Sequence, residues 1–172
     1  FKPAQKRPST ALPVMLWIHG GSFRWGSAMD PAFDGRALTA EGVILVTINY
    51  RLDRFGRFSH PSLREQHADE PQGNYALMDQ LAALQWVQRN IYAFGGDADR
   101  VTIFGESAGS WATFFHLLSP QSTGLFHRII AQSGAPLSPG YPSIPGEKAI
   151  RYGQELAAQL DCMSADGNPG AT

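Results

Sequence analysis

The sequence predicts an α/β fold: a mostly parallel sheet with flanking helices. Four short apolar runs rich in β-branched residues alternate with segments of helical period, and glycine-rich segments follow two of the runs directly. Buried strands that alternate with helices are typical of parallel sheets, because each crossover needs a long connection to return the chain. Ligands bind such sheets at the carboxyl ends of the strands, so the glycine-rich segments mark the candidate site.

Four strands are predicted, and the first is a continuous apolar run, which is typical of a strand buried on both faces. They span residues 13–18, 42–48, 101–105 and 128–133. Residues 1–12 are polar and predict a loop or an edge segment. Residues 49–73 are charged and punctuated by proline and glycine, and we expect them to form an excursion over the surface.

Three helices are predicted from apolar spacing and from stop signals. The first lies within 74–96, with Gly95-Gly96 just past its end and a stripe formed by Leu77, Leu81, Leu84 and Ile91. The second runs from about 107 to 118 and ends at Ser119-Pro120, since the residue before proline avoids the helical region. Its apolar residues at helical spacing are Trp111, Phe114, Phe115 and Leu118. The third spans about 145–160, with a proline near its first turn.

Composition favours a single globular domain. The chain has 172 residues, of which 43% are hydrophobic and 17% charged, below the usual quarter of charged residues. A net charge of −1 argues against nucleic acid as a partner, and no apolar run approaches a membrane span. The chain begins at Phe1, so we expect the natural start to lie upstream. The sequence therefore predicts no cellular compartment. Cys162 has no internal partner for a disulfide and is expected to be a buried apolar filler.

The segment "FGESAGS" (104–110) is the strongest chemical motif. It places Ser107 between Gly105 and Gly109 at G-x-S-x-G spacing, after a predicted strand and before a predicted helix. A nucleophilic serine held above a sheet needs a sharp turn and small residues on both sides. The backbone N–H of Ala108 then lies at a helix start, where negative charge is favoured. The alternative is a glycine-rich turn that happens to contain a serine.

A second segment, "HGGSF" (19–23), follows the first predicted strand. The glycines allow a backbone to approach a substrate oxygen closely, and hydrolases of this sheet type take N–H donors from such a loop. The alternative is a generic Gly-Gly turn. Both segments lie at strand ends and in the expected order, which favours a serine hydrolase.

Taken together, the motifs resemble those of the carboxylesterase type B family, which includes carboxylesterases and cholinesterases. The resemblance runs from about Pro13 to Cys162 and is carried by "PVMLWIHGGSF", "NYRLDRFG", "GNYALMDQLAALQWVQRNIYAFGGDADRVTIFGESAGS" and "LFHRIIAQSGAP". It implies a partial α/β-hydrolase fold, truncated at both ends. We therefore expect residues 1–172 to form one incomplete domain that contains the oxyanion loop and the nucleophile elbow.

The resemblance also implies roles for individual residues. Ser107 is implied as the acyl-accepting nucleophile. The oxyanion hole is implied to consist of the backbone N–H groups of Gly21, Ser22 and Ala108, with Gly20 shaping the loop. Glu106 matches a carboxylate that influences the electrostatics of the triad, with a solvated carboxylate as the alternative. Ser133 matches a second serine near the site, and we expect structural support from it.

Two positions depart from the family pattern. Ser22 stands where the family usually has glycine, so a positive φ at this position would be strained. The segment 53–58, "DRFGRF", is more charged than the family's usual apolar version.

The catalytic acid and histidine of the family are expected downstream of this chain. None of the chain's own histidines is a predicted general base; they are His19, His60, His67, His116 and His127, and each is expected to be structural or solvated. No His/Cys cluster has metal-ligand spacing and no phosphate-binding loop is present, so no metal and no cofactor is predicted.

The predicted function is hydrolysis of small-molecule carboxylic esters through an acyl-enzyme on Ser107 in the full-length protein, with this chain inactive by itself. Two alternatives stay open. One is a non-catalytic, cholinesterase-like binding or adhesion module, against which the intact Ser107 motif argues. The other keeps the chemistry and changes the substrate to an amide, carbamate or lactone.

Overall fold

A four-stranded parallel sheet forms the centre of the protein in a computed structural model, which describes residues 1–3, 10–69, 71–135 and 144–162. The strand order is β2-β1-β3-β4. The bounds are Leu12–Ile18 for β1, Ile44–Ile48 for β2, Gly96–Glu106 for β3 and Arg128–Gln132 for β4. All three pairings are parallel and helices flank the sheet, so the predicted fold class is confirmed.

Six α-helices connect or flank the strands in the described residues. They are α1 (Arg36–Ala40), α2 (Asp53–Arg57), α3 (Pro61–Gln66), α4 (Tyr75–Asn90), α5 (Ala108–Leu118) and α6 (Gly146–Gln159). Short 3-10 turns lie at Pro31–Phe33, Ile91–Phe94 and Pro120–Ser122. The helices α4, α5 and α6 correspond to the three predicted ones. None of the helices in the described ranges is both long and apolar enough to cross a membrane.

The register of the sheet brings three strand ends together. Ile18 at the end of β1 pairs with Ile48 on one side and with Gly105 on the other. In parallel strands these are all carboxyl ends, so the segments that follow β1, β2 and β3 emerge at the same edge. The predicted location of the site at this edge depends on that register.

The core lies between the sheet and α4. Val14, Leu16 and Ile18 of β1 are fully buried, and Leu84 and Val87 of α4 are buried against the sheet. The predicted stripe of α4 is half right. Leu84 and Ile91 are buried, whereas Leu77 and Leu81 are only partly covered, because the buried face also includes Ala76 and Gln80.

The apolar residues at helical spacing in α5 are not its most buried side chains. The buried side chains of α5 are small or polar: Ala108, Ser110, Ala112, Thr113 and His116, together with Gly109. Leu118 is 75% exposed, and the aromatic residues Trp111 and Phe115 pack only at the margin of the core. The reason is the short distance to the sheet, since a Cβ on Gly109 would overlap the carbonyl oxygen of Ile18.

Three further expectations are corrected. β3 begins at Gly96 instead of residue 101, because the chain pairs with Leu12 before an irregularity in the ladder. Segment 49–73 contains α2 and α3, and it buries His60 and Ser62 instead of lying wholly on the surface. Cys162 is exposed just beyond the end of α6 instead of buried in the core.

Candidate active site

Ser107 occupies a sharp turn between β3 and α5. Its backbone has φ 53° and ψ −119°, a region that residues with a side chain rarely adopt. A Cβ on Gly105 would lie 2.6 Å from the carbonyl oxygen of Gly109 and 2.7 Å from that of Ile18. A Cβ on Gly109 would overlap the Ile18 oxygen directly. The spacing of the two glycines around Ser107 is therefore a steric requirement of the turn.

Backbone hydrogen bonds hold Ser107 from both sides. Its N–H donates to the carbonyl oxygen of Gln132 at 2.9 Å, and its own carbonyl accepts from the N–H of Trp111 at 3.1 Å. Its Oγ makes no hydrogen bond within the described residues. The first N–H groups of α5 have no intrahelical acceptor, so the N-terminus beside Ser107 favours negative charge.

The glycine loop, residues 19–28, is a tight turn at the end of β1. Gly21, Ser22 and Phe23 all have positive φ, at 102°, 55° and 58°. The N–H groups of Arg24 and Trp25 both donate to the carbonyl oxygen of Gly21, at 2.9 and 3.1 Å. Ser22 therefore has a positive φ, the conformation expected to be strained at this position because serine has a Cβ.

The glycine loop touches the turn at Ser107. A Cβ on Gly20 would lie 2.8 Å from the carbonyl oxygen of Glu106, 2.9 Å from its Oε2 and 3.3 Å from Cβ of Ser107. Glu106 is otherwise exposed. The structure thus brings Gly20, Glu106 and Ser107 into contact, with Gly21 and Ser22 next along the loop and Ala108 next along the helix.

Ser133 lies in the segment after β4, which packs on the other side of the turn. A Cβ on Gly134 would lie 2.9 Å from the carbonyl oxygen of Ser107, and Ser110 Oγ donates to the Gly134 carbonyl at 2.8 Å. Ser133 itself has φ 56°, is exposed, and forms no side-chain hydrogen bond to another described residue. The backbone groups of its neighbours Gln132 and Gly134 make the contacts to the turn.

The residues after β2 hold the glycine loop at three points, a role that was not predicted from the sequence. Tyr50 Oη donates to the His19 carbonyl at 2.7 Å, at the start of the loop. The N–H of Asp53 donates to the Phe23 carbonyl at 2.6 Å, in the middle. Oδ1 of Asn49 accepts from the N–H of Ala28 at 2.9 Å, at the end of the loop. The available signal was the polar Asn-Tyr pair directly after a buried strand.

Tyr50 is a permanent donor to this loop. It is 5% exposed, and burial raises the pKa of Tyr50 above its ordinary value. The phenol therefore keeps its proton at neutral pH. An ion pair between Arg51 and Asp79, with Nη2 to Oδ1 at 2.8 Å, fastens the same segment to α4. Partial burial of Asp79 acts to raise its pKa, but the hydrogen bonds and the charge of Arg51 together outweigh it and hold the pKa of Asp79 below its ordinary value.

No histidine in the described part of the chain hydrogen-bonds to Ser107. His116 is buried, with Nδ1 3.0 Å from Ser122 Oγ and Nε2 3.0 Å from Gln80 Oε1, and burial lowers the pKa of His116 to about 4. His60 is buried beside Ser62. His67 and His127 are exposed, and His127 Nδ1 accepts from the N–H of Val101.

A parallel sheet with flanking helices and a serine at a sharp strand-to-helix turn is the architecture of the α/β hydrolases. The chain belongs to the carboxylesterase family, whose sequence model matches residues 1–170.

Individual relatives agree with this membership. The chain is 49% identical over 148 residues to the pyrethroid hydrolase Ces2e of Rattus norvegicus, covering 86% of this chain and 25% of the relative. It is 50% identical to the para-nitrobenzyl esterase of Bacillus subtilis, covering 77% of this chain and 26% of the relative. It is also 50% identical to the fumonisin B1 esterase of Sphingopyxis macrogoltabida, covering 88% of this chain and 28% of the relative. The chain thus spans about a quarter of the length of these relatives.

Proposed function

We propose that the protein hydrolyses carboxylic esters through an acyl-enzyme on Ser107. The observation that carries the proposal is the turn itself. It holds Ser107 in a rare backbone conformation at the end of β3, beside the N-terminus of α5 and within contact distance of Gly20 in the glycine loop. Maintaining a strained serine at this position is explained by nucleophilic chemistry and not by packing, since strain of this kind concentrates at functional sites.

In the proposed reaction, Ser107 Oγ forms a bond to the ester carbonyl carbon and gives its proton to a general base. The carbonyl π electrons move onto oxygen, and the backbone N–H groups of Gly21, Ser22 and Ala108 stabilise the resulting oxyanion. Collapse of this intermediate expels the alcohol, which takes the proton from the base. Water then repeats the sequence on the acyl-enzyme and releases the acid.

We assign the general base to a residue outside the described part of the chain. His19 and His116 are buried and hydrogen-bonded to other groups. His60 is 2% exposed and contacts Ser62. Glu106 is adjacent to Ser107 and touches the glycine loop, and we propose that its carboxylate acts on the electrostatics of the site. Ser133 is proposed to support the turn through the backbone of its neighbours.

The proposed substrates are small-molecule carboxylic esters, and no cofactor takes part in the proposed reaction. The names of the relatives mention a pyrethroid, a para-nitrobenzyl ester and fumonisin B1, which differ widely in structure. Their range favours an ester hydrolase whose acyl and alcohol specificity depends on other parts of the pocket.

The test compares the parent and Ser107→Ala in the protein expressed from its complete gene, with p-nitrophenyl acetate as substrate. We expect a loss of several orders of magnitude in kcat, since removing a triad nucleophile removes the covalent route. Mass spectrometry of the parent treated with an aryl phosphonate should find the adduct on Ser107. Activity of Ser107→Ala within tenfold of the parent would contradict the proposal. Absence of turnover by the folded parent on a panel of aryl esters would favour a binding module instead.

A further inference from the structure

His19 is the first residue of the glycine loop, and its ring lies in an enclosed position beneath that loop. The residue is 1% exposed, and its imidazole stacks on Tyr50 with ring centroids 4.4 Å apart and an interplanar angle of 17°. Nδ1 lies 2.8 Å from the carbonyl oxygen of Gly20. Nε2 is also buried and has no hydrogen-bond partner among the described residues.

We propose that His19 is a positioning residue that fixes the direction of the Gly21 N–H. The inference rests on the proposed function, in which this N–H is one of the oxyanion donors. His19 touches no reacting atom, and its effect passes through the Gly20–Gly21 peptide group.

The planarity of the peptide bond links the two groups. The carbonyl of Gly20 and the N–H of Gly21 belong to one trans peptide unit and point in opposite directions. A carbonyl oxygen can only accept, so Nδ1 of His19 carries the proton and donates to Gly20. With this bond made, the carbonyl points toward the buried ring and the N–H points away from it. The contact therefore sets the direction of the donor.

A fixing contact is needed because the peptide lies between two glycines. Glycine has access to positive and negative φ at similar energy, so rotation of a Gly-Gly peptide meets little steric resistance. Gly21 already has φ 102°, and no side chain at either position can hold the plane. The peptide would sample both orientations without the His19 hydrogen bond, and only one of them presents the N–H to an oxyanion.

The ring of His19 is itself held on both sides. Tyr50 stacks on one side and donates its hydroxyl to the His19 carbonyl at 2.7 Å. Gly26 lies against the ring, since a Cβ there would overlap Nδ1 and lie 2.7 Å from Cε1. These two contacts restrict rotation of the imidazole away from Gly20.

The other proposed donors do not depend on this contact. The Ala108 N–H is directed by α5, and the Ser22 N–H follows the turn closed by the hydrogen bonds to the Gly21 carbonyl. Loss of the His19 bond should therefore cost the contribution of one donor and leave the nucleophile in place. Removal of one oxyanion donor costs about 10²–10³ in kcat in well-studied hydrolases.

The test uses two substitutions that separate hydrogen bonding from packing. His19→Phe keeps a ring of similar size to stack on Tyr50 and removes the donor, and since Nε2 has no described partner it loses only one hydrogen bond. His19→Asn removes the stacking ring and keeps an amide N–H close to the position of Nδ1. Both are made in the protein expressed from its complete gene, and kcat and KM for p-nitrophenyl acetate are measured beside thermal stability.

We expect His19→Phe to lower kcat about 10²-fold with KM within about threefold of the parent, and His19→Asn to stay within about tenfold in kcat. We expect thermal stability to follow the opposite order, with His19→Phe above His19→Asn, because the asparagine leaves a cavity. A trifluoromethyl ketone, which forms an oxyanion on serine, should lose affinity in His19→Phe by a similar factor. These results together would distinguish positioning from a general effect on folding.

The inference is overturned if kcat follows stability in the two variants, or if His19→Phe keeps the kcat of the parent. If His19→Phe does not fold, His19→Gln replaces it, because its amide N–H lies near the position of Nε2 and does not reach Gly20. Ser107→Ala in the same assay separates the two proposals. An active Ser107→Ala removes the proposed function, whereas an inactive Ser107→Ala beside a fully active His19→Phe removes only the positioning role.

Discussion

The N–H of Ser107 donates to the carbonyl oxygen of Gln132 at 2.9 Å, so the amide of the candidate nucleophile is bonded to the last residue of β4. Glu106 pairs with Gln132 in the β3–β4 ladder, and the sharp turn begins at the next residue. A sparsely populated positive-φ conformation at a non-glycine residue costs about 1–3 kcal/mol and persists only where the surroundings hold it. Here β4 holds the strand side of the turn, and the Trp111 N–H holds the helix side.

Gly109→Ala should be severely destabilising because the added Cβ would overlap the carbonyl oxygen of Ile18, a fully buried residue at the end of β1. We expect a loss of about 3 kcal/mol or more in the free energy of unfolding, at the upper end for overpacking. Gly146→Ala is the matched control, since a Cβ on Gly146 meets nothing within 4 Å. Urea unfolding should show a change of less than about 1 kcal/mol for the control. Equal stability of the two variants would contradict the steric explanation.

Ser22→Gly should be tolerated and should keep esterase activity. Ser22 has φ 55°, where a side chain costs about 1–2 kcal/mol, and glycine removes that cost. Glycine also makes the unfolded chain more flexible, which lowers the free energy of unfolding by about 0.5–1 kcal/mol. The backbone N–H is unchanged, so kcat should stay within tenfold of the parent or rise. Ser22→Val, β-branched at the same φ, should lower the melting temperature. A loss above a hundredfold in kcat for Ser22→Gly would mean that the Ser22 hydroxyl takes part in the chemistry.

Features set by local pattern were predictable from the sequence. The order of strands and helices and the end of α5 before Pro120 follow from apolar runs and from stop residues. Gly95 ends the 3-10 turn Ile91–Phe94 that directly follows α4. The contact between the glycine loop and the turn at Ser107 was also expected, because parallel strands place their carboxyl ends at one edge.

Features set by tertiary contacts were not predictable. The buried face of α5 consists of small and polar residues because the helix lies close to β1, and an apolar stripe in the sequence carries no information about that distance. The role of Tyr50 depends on a hydrogen bond to His19 across 31 residues of sequence. Likewise, the burial of His60 within a charged segment follows from the packing of α3 and not from local composition.

Acidification should weaken the contact between α4 and α5 through His116. Burial lowers the pKa of His116 to about 4 in the folded state, below its ordinary value of 6.5, so the unfolded chain binds the proton more readily between these values. The contribution of neutral His116 to the free energy of unfolding is therefore fully present above about pH 7 and is lost as the pH drops toward 4. Each pH unit in this window is worth about 1.4 kcal/mol, which gives a loss of up to about 3 kcal/mol.

The measurement for His116 is urea unfolding at pH 7 and pH 4.5 for the parent and for His116→Gln. Glutamine can hydrogen-bond to Gln80 or Ser122 and does not titrate, so the variant should lose less stability than the parent between the two pH values. Carboxylates contribute equally to both proteins and cancel in the comparison. The same pH dependence in both would show that His116 is not the titrating group.

The 172-residue chain expressed alone should not turn over esters. A positioned general base contributes about 10²–10⁴-fold, and an unassisted serine hydroxyl is a weak nucleophile at neutral pH. The rings of His19, His60, His116 and His127 make their hydrogen bonds elsewhere. β4, which holds the Ser107 amide, is mostly exposed, with Ile130 45% exposed. An exposed apolar strand at a sheet edge favours aggregation over a rigid site.

The check is ester turnover by this chain and by its Ser107→Ala variant, beside gel filtration of both. A kcat of roughly 1–10³ per second that disappears in Ser107→Ala would mean that the chain supplies its own base. In that case His60 and His67 are the first residues to replace. Both flank α3, which follows the residues after β2 that hold the glycine loop.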